Sequence, residues 1–307
     1  MVRRIRRRAR RLAGRAKRAL NAALRRATGL ELRRTGARRR YRPPESRTRL
    51  LTTPTFVLCT VRSGSTLLRV LLDSHSEICA PQELNLRDLM VTPKDSYTEK
   101  SLEEYGLDAR QLEYVLWDWV LNRELEESGK RLLASKAPRN VFVADRILEC
   151  WPDARFVFLL RHPGAIARSR HALRPQDSEE RNAEMVRRYA DALEQARQTY
   201  DGLTVRYEDL AADPTAVSQE LCDFLGVAWE PTMLDYGRFD HGRYRPGVGD
   251  WKAKIKSGEV QPPEQPPSFD EIHPDLRPLT VAWGYAGAGE DAAQGRVRGA
   301  RAASTRG

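Results

Sequence analysis

One stretch, residues 54–83, constrains the fold more than any other part of the chain: it reads PTFVLCTVRSGSTLLRVLLDSHSEICAPQE. Residues 56–59 form a short apolar run typical of a strand buried on both faces, and residues 66–72 then follow helical spacing. A second short apolar run precedes Glu83. The order strand, polar loop, helix and strand predicts the opening βαβ unit of a parallel sheet.

The loop between this strand and this helix is suited to binding a phosphate or a sulfate. Gly64 permits a tight turn, and the amides of Ser65 and Thr66 open the helix at the positive end of its dipole. Arg62 adds a planar, permanently charged group, and hydroxyl donors come from Ser63 and from the two residues after Gly64. The alternative is an ordinary turn capped by Ser65 or Thr66, although an arginine, a glycine and three hydroxyls exceed what capping requires.

The loop departs from the Walker P-loop of nucleoside triphosphatases, G-x-x-x-x-G-K-[ST]. Cys59 stands in the place of the first glycine, and Ser65 stands in the place of the lysine. The run R-S-G-S-T-L-L-R-V-L-L-D-S-H-S-E-I instead resembles the 5′-phosphosulfate loop of sulfotransferases that use 3′-phosphoadenosine 5′-phosphosulfate (PAPS), most of all their tyrosylprotein and bacterial branches. The resemblance implies an α/β protein with a three-layer P-loop-like fold, in which helices flank a central parallel sheet.

A second motif follows the apolar strand RFVFLL at residues 155–160. The run R-H-P-G-A-I-A-R-S resembles the family's 3′-phosphate signature, in which an arginine ends a strand and a serine lies eight residues later on the next helix. Arg161 would supply bidentate charge, and Ser169 would reach the same phosphate from two turns into that helix. A third run, V-R-Y-E-D-L, also resembles the family and implies that Tyr207 lies beside the adenine.

Two more assignments come from the late part of the chain. The run R-P-G-V-G-D-W-K resembles the nucleotide loop R-K-G-x-x-G-D-W-K of cytosolic sulfotransferases, although it is one residue shorter and has Pro246 in place of lysine. The resemblance implies donor contacts from Arg245, Gly247 and Lys252, with a flexible surface loop as the alternative. By similarity to a serine of the tyrosylprotein branch, Ser257 is a candidate hydrogen-bond donor to the sulfuryl group.

The resemblance also implies the catalytic groups, which include Arg62 of the first loop. Glu83 lies 21 residues after Arg62, at the position of the catalytic glutamate of the tyrosylprotein branch, and is the candidate base. Lys136 lies 25 residues before Arg161, at the position of that branch's catalytic lysine. The family works without a metal ion, because arginine and lysine neutralise the developing charge. His75 is the rival base, with a helix-capping role as its alternative.

The positive charge of the chain is concentrated at its N-terminus. Residues 1–49 carry 20 of the 53 Lys and Arg and two of the 42 acidic residues, a net charge of +18, whereas the remainder carries −7. The basic, amphipathic pattern of residues 1–40 predicts a helix that lies on an anionic membrane surface. The alternatives are binding to nucleic acid, for which we expect no specific target, and a solvated extension. The arm has a narrow apolar stripe at spacings of three and four, formed by Val2, Ile5, Ala9, Leu12, Ala16, Leu20, Ala23, Ala27 and Leu30.

The cysteines and the absence of long apolar segments indicate the compartment. Cys59, Cys79, Cys150 and Cys222 lie far apart in apolar runs, as expected of core residues in a reducing compartment rather than of disulfides or zinc ligands. The sequence has neither an apolar stretch of 18 residues nor the apolar core of a secretory signal. We therefore expect a cytoplasmic protein, peripheral on the inner face of the membrane if the arm binds it.

The expected organisation is a basic arm (residues 1–49), a sulfotransferase domain (50–285) and a disordered Ala, Gly and Arg tail (286–307). The leading hypothesis is metal-independent transfer of a sulfuryl group from PAPS to a hydroxyl of a carbohydrate, glycolipid, small metabolite or tyrosine. Specificity is expected from residues 84–128 and 170–185. The alternatives are a P-loop kinase or NTPase, and a non-catalytic protein that binds membrane or nucleic acid through its arm. The oligomeric state stays open.

Overall fold

The computed structural model describes residues 49–242 and 253–285, and a sheet of five parallel strands lies at its centre. The strands are β1 Thr55–Cys59, β2 Ile78–Cys79, β3 Leu132–Lys136, β4 Arg155–Leu160 and β5 Gly202–Arg206. Their spatial order is β2-β3-β1-β4-β5. β1 pairs with β3, where Val57 lies opposite Lys136, and with β4, where Cys59 lies opposite Leu159. The apolar strand runs of the sequence are thus explained by burial on both faces.

Helices connect the strands and cover both faces of the sheet. Two helices, α1 (Ser65–Asp73) and α8 (Pro214–Leu225), pack against the face that carries Val57. The other face carries Phe56, whose ring centroid lies 5.3 Å from that of Trp151. The predicted three-layer α/β fold is therefore confirmed. Among the described residues the helices are α1 Ser65–Asp73, α2 Ser96–Glu104, α3 Ala109–Ser128, α4 Ala144–Cys150, α5 Pro163–His171, α6 Glu179–Thr199, α7 Tyr207–Ala212, α8 Pro214–Leu225, α9 Ala253–Lys256 and α10 Arg277–Ala282.

The ends of α8 show how local sequence sets a helix. The Asp213 side chain accepts a hydrogen bond from the Ala216 amide at 3.0 Å, and Pro214 occupies the first helical position, where it loses no intrahelical bond. At the other end Gly226 adopts a left-handed conformation with φ 75° and stops the helix. Asp213-Pro214 predicts the start of a helix and Leu225-Gly226 predicts its end, and the structure confirms both.

The sequence predicts an amphipathic helix over residues 141–150, a turn after β5 and a last helix over residues 270–285, and all three differ from the observed elements. The helix expected at residues 141–150 begins as a 3-10 turn, Pro138–Val143, and becomes α-helical only at Ala144. The turn expected after β5 is the short helix α7. The helix expected from residue 270 is two 3-10 turns, Phe269–Glu271 and Pro274–Leu276, before α10, because Pro274 has no amide hydrogen with which to continue a helix.

The described residues, 49–242 and 253–285, all belong to one compact unit. Residues 1–48 of the basic arm, the late nucleotide loop (243–252) and the tail (286–307) lie outside them, so the assignments made there stay predictions. No described helix has the length and apolarity needed to cross a membrane.

The strand order places a binding site at a specific edge of the sheet. From β1 the chain crosses toward β2 and β3 on one side, and β4 and β5 then add on the other side of β1. In open parallel sheets, ligands bind beyond the carboxyl ends of the strands at such a reversal of strand order. The loop after β1 lies at this point.

Candidate active site

The backbone of the loop after β1 is shaped for a close approach at the start of α1. Arg62 and Gly64 both have left-handed conformations, with φ values of 64° and 80°. Gly64 precedes the first helical residue, and no side chain of the described residues caps this end of α1. The alternative of a turn capped by Ser65 or Thr66 is therefore wrong, since both residues lie within the helix. The uncapped amides at this helix end suit an anion.

Gly64 is also fixed by a neighbour from a distant part of the chain. A Cβ added at residue 64 would lie 2.1 Å from Cδ2 of Tyr207, which opens α7 after β5. The Tyr207 ring therefore packs directly on the loop, and the Arg161 guanidinium lies 4.5 Å from the ring centroid. Glycine is required at this position both by its φ and by the available space.

The two predicted phosphate-binding motifs meet at the same end of the sheet. Arg62 Nε donates to Ser169 Oγ at 3.1 Å, and Arg161 Nη1 donates to the Arg62 carbonyl at 2.7 Å. Residues about a hundred positions apart thus form one basic cluster, which we call the arginine cluster: Arg62, Arg161, Ser169 and Tyr207.

Two buried polar atoms in or beside this cluster have no hydrogen-bond partner among the described residues. Within the described part of the chain, Arg161 Nε and Thr60 Oγ1 are buried without a hydrogen-bond acceptor or donor. Such atoms are costly unless something satisfies them. A donor without an acceptor in a cationic cluster fits a site for an anionic ligand. Sequence reasoning missed Thr60, whose signal is its place between a buried strand and the loop.

Glu83 and Lys136 form a buried ion pair on the other side of β1. Lys136 ends β3 and is 1% exposed, while the Glu83 side chain, which follows β2, is 15% exposed. Lys136 Nζ donates to Glu83 Oε1. The two residues chosen from separate spacings are 53 positions apart, and the parallel sheet brings them together because both follow neighbouring strands.

Cys59 connects this ion pair with the loop. This residue ends β1, and its thiol is fully buried. Burial raises the pKa of the thiol to about 11; the Lys136 charge and hydrogen bonds involving Ser65 and Ser63 lower the pKa, and the Glu83 charge raises it. The loop hydroxyls and the ion pair therefore share one neighbour. All four cysteines are buried and unpaired, as predicted.

His75 lies at the opposite edge of the sheet. α1 runs back from the loop over nine residues, roughly 13 Å, and His75 follows its C-terminal end. His75 Nδ1 accepts from the Glu77 amide at 2.9 Å, so Nε2 carries the hydrogen and donates to the Ala228 carbonyl at 2.8 Å. Both ring nitrogens thus form hydrogen bonds to the backbone near the C-terminal end of α1. This arrangement fits a helix-end role for His75 better than the role of rival base.

The late assignments are only partly within the described residues. Ser257 is exposed, and its hydroxyl bonds local partners such as the Lys254 carbonyl at 2.7 Å. None of its recorded hydrogen bonds in the described ranges reaches the arginine cluster or the Glu83–Lys136 pair. Arg245, Gly247 and Lys252 lie outside the described residues.

A supporting residue that sequence reasoning missed is Glu208, the residue after Tyr207. Its carboxylate accepts from the His162 amide at 3.0 Å and from the Tyr285 hydroxyl at 2.7 Å. It thereby ties the residue beside Arg161 to the end of the chain's last described helix. The acidic residues of the V-R-Y-E-D-L run were the available signal.

His162 is buried in this junction and faces two positive charges. Burial, with the charges of Arg168 and Arg161, lowers its pKa to about 4. Its Nδ1 accepts a hydrogen bond from the Ala165 amide at 3.3 Å and so caps α5. The ring therefore works as a neutral acceptor.

Comparison with known proteins agrees with this geometry. A family model described as the sulfotransferase family matches residues 54–231, more than half of the chain. Nodulation protein NoeE of Sinorhizobium fredii is 34% identical over 125 residues, 37% of this chain and 30% of that protein. Protein-tyrosine sulfotransferase 2 of Gallus gallus is 22% identical over 193 residues, 57% of this chain and 51% of that protein. The chain thus spans about half or less of the length of these relatives.

Solved structures show the same fold. The sulfotransferase domain of the Synechococcus PCC 7002 olefin synthase has a TM-score of 0.56 and 23% identity, covering 80% of this chain and 98% of that domain. The sulfotransferase domain from the curacin biosynthetic pathway has a TM-score of 0.53 and 23% identity, covering 76% of this chain and 98% of that domain. With the family model matching most of the sheet and both sides of the site, the chain belongs to the sulfotransferase family.

Proposed function

We propose that this protein transfers a sulfuryl group from PAPS to a hydroxyl of an acceptor. The observation that carries the proposal is that one edge of the sheet holds both the arginine cluster beside an uncapped helix end and the buried Glu83–Lys136 pair. The first suits a doubly anionic nucleotide, and the second supplies an acid–base group with a cation beside it.

The donor is bound through its phosphates. The backbone amides at Gly64, Ser65 and Thr66, with the Ser63 hydroxyl and the Arg62 guanidinium, bind the 5′-phosphosulfate. Arg161 and Ser169 bind the 3′-phosphate, supported by their contacts to Arg62. Tyr207, held between the loop and Arg161, forms the adenine side of the site. The loop at 243–252 adds Arg245, Gly247 and Lys252.

The chemical step is an in-line displacement at sulfur. The acceptor oxygen forms a bond to sulfur while the bond from sulfur to the bridging phosphate oxygen breaks, and 3′,5′-bisphosphoadenosine leaves. Glu83 takes the proton of the hydroxyl, and Lys136 and Arg62 stabilise the charge that develops on the bridging and sulfuryl oxygens. In this step the Lys136 ammonium exchanges its contact with the Glu83 carboxylate for one with the sulfuryl group.

Calorimetric titration tests the donor site directly. The purified protein is titrated with 3′,5′-bisphosphoadenosine without metal and, in parallel, with ATP and Mg²⁺. Binding of the bisphosphate with a Kd at or below the micromolar range, and no stronger binding of ATP, is expected. Preference for ATP and Mg²⁺ would replace the proposal by the kinase or NTPase alternative, and binding of neither would favour the non-catalytic alternative.

The acceptor class is proposed only as a hydroxyl compound. Transfer of label from ³⁵S-PAPS to a panel of a glycan, a glycolipid, a phenol and a tyrosine peptide identifies it. Chelation with EDTA is expected to leave the rate unchanged.

Binding of residues 1–40 to vesicles containing anionic lipid tests the peripheral membrane location, with neutral vesicles as the control.

A further inference from the structure

We propose that Asn140 is a positioning residue for Glu83, acting through the backbone of Leu84 and Leu86, which follow Glu83 in the chain. This inference rests on the proposed role of Glu83 as the base. Asn140 is 1% exposed and lies in the 3-10 turn Pro138–Val143, which follows β3. It touches neither the donor loop nor the arginine cluster through any recorded hydrogen bond of the described residues.

The Asn140 amide brackets the segment after Glu83. Its Oδ1 accepts from the Leu86 amide at 2.9 Å, and its Nδ2 donates to the Leu84 carbonyl at 3.3 Å. The orientation of the side-chain amide is determined by this pair, because the Leu86 N–H needs an acceptor and the Leu84 carbonyl needs a donor. A buried amide with both ends on the main chain restrains the chain in two places at once.

Asn140 and Lys136 lie on one continuous segment, formed by β3 and the 3-10 turn that follows it. β3 ends at Lys136, and the Asn140 amide donates to the Ala137 carbonyl at 3.0 Å, so the turn is continuous with the strand end. The pairing of β3 with β1 sets the position of that strand end relative to the loop. Lys136 contacts the Glu83 carboxylate while Asn140 restrains the following backbone, and the two together fix the carboxylate relative to the donor site.

The segment before Glu83 is restrained independently. The Ala80 amide donates to Asp73 Oδ1 at 3.0 Å, and its carbonyl accepts from Arg69 Nη1 at 2.8 Å. Gln82 Nε2 donates to the His241 carbonyl at 2.7 Å. Glu83 thus lies between two restrained stretches, and removal of Asn140 releases only the later one. A displacement of about 1 Å of a catalytic group can cost on the order of 10²-fold in rate.

The experiment combines Asn140→Ala with a double-mutant cycle. Using ³⁵S-PAPS and the acceptor from the panel with the highest rate, we expect Asn140→Ala to lower kcat about 10²-fold, with bisphosphate affinity changed less than about twofold. In the Glu83→Gln background the same change is expected to cost less than about threefold, because there is no longer a base to misplace. Asn140→Asp keeps the acceptor for Leu86 and loses the donor to Leu84, so its loss should be smaller than that of Asn140→Ala.

A second readout does not depend on activity. Hydrogen exchange followed by mass spectrometry should be roughly tenfold faster at the Leu86 amide, within peptides covering residues 84–89 of Asn140→Ala. Loss of the hydrogen bond from this amide, at about 1.4 kcal/mol, corresponds to that factor. The matched control is Ser218→Ala on α8, which removes the part-buried hydrogen bond that Trp229 Nε1 donates to Ser218 Oγ at 2.8 Å and the bond that this hydroxyl donates to the Thr215 carbonyl. It should lower stability without changing kcat or exchange in this peptide.

The outcomes separate this inference from the proposed function. Suppose that the unmodified protein binds bisphosphate and sulfates an acceptor, but the effects of Asn140→Ala and Glu83→Gln on kcat are fully additive. This result would overturn the positioning role and leave the proposed function intact. Unchanged exchange at residues 84–89 also overturns the positioning role. A protein that binds no bisphosphate and transfers no label contradicts the proposed function, while the exchange result still decides whether Asn140 restrains the segment.

Discussion

The two ends of α1 differ in how their polar groups are satisfied. At the end that follows β1, no side chain caps the helix, Gly64 holds a left-handed conformation, and the neighbouring Arg161 Nε has no acceptor in the described residues. At the other end, both nitrogens of His75 are hydrogen-bonded, and Glu230 accepts from the amide and hydroxyl of Ser76. An end left unsatisfied by the protein is available to a ligand, whereas a satisfied end contributes stability.

Buried histidines show the same contrast. His162, near the arginine cluster, faces Arg168 and Arg161 and has a pKa lowered to about 4. His75, at the far end of α1, faces a carbonyl and lies 3.8 Å from Glu230 Oε1. Changes at the loop end of α1 should therefore affect donor binding or turnover, and changes at the far end should affect stability alone.

The largest effect is expected from Glu83→Gln. Loss of the base should lower kcat about 10³-fold, since general-base catalysis contributes on the order of 10²–10⁴. The bisphosphate Kd should change little, because the side chain contacts Lys136 rather than the loop. Steady-state rates with ³⁵S-PAPS, paired with calorimetry, measure both. Retention of more than a tenth of the wild-type kcat would remove Glu83 from the mechanism.

Gly64→Ala is expected to weaken bisphosphate binding by about 10²-fold. The new Cβ would meet the Tyr207 ring at 2.1 Å, and a positive φ costs alanine on the order of 1–3 kcal/mol. Calorimetry measures the loss. Gly226→Ala is the matched control: Gly226 also has a positive φ, 75°, but no atom of the described residues lies within 4 Å of its added Cβ. It should show only the backbone cost in thermal unfolding, with donor affinity intact.

Acid should destabilise the protein through His162. Its folded pKa of about 4 lies below the ordinary value of 6.5, so the unfolded state binds the proton first. The stability contribution is complete above pH 6.5 and is lost as the pH falls toward 4, by an amount on the order of 3 kcal/mol. Denaturant unfolding across this window measures it. His162→Asn, which can still cap α5 without titrating, should flatten the dependence; an unchanged slope would assign it to other groups.

The smallest effect is expected from His75→Ala at the satisfied end of α1. Loss of two hydrogen bonds should lower the free energy of unfolding by about 1–3 kcal/mol. Bisphosphate affinity and kcat should stay within about twofold of wild type. Chemical denaturation and calorimetry on the same preparation provide the comparison. A collapse of kcat without loss of stability would instead make His75 the base and reverse the contrast between the two ends.

The sequence by itself determined the local elements and the chemistry of the loops. Continuous apolar runs specify strands buried on both faces, Asp213 and Gly226 delimit α8, and the combination of Arg62 with Gly64 points to an anion. These signals act within a few residues, so they can be read without knowing the fold. Glu83 and Lys136 were reached only through spacings shared with a known family.

Only the tertiary structure decided which of these residues meet. The Arg62–Ser169 bond spans 107 positions and the Glu83–Lys136 pair spans 53, and both depend on strand order and register, which no local pattern encodes. The packing of Tyr207 on Gly64 was likewise invisible in the sequence. Asn140, which lies between Arg139 and Val141, became informative only when its side-chain amide was seen to bracket the backbone after Glu83. Long-range hydrogen bonds are specified by the whole packed fold, because parallel strands and their crossovers bring distant residues to one edge of the sheet.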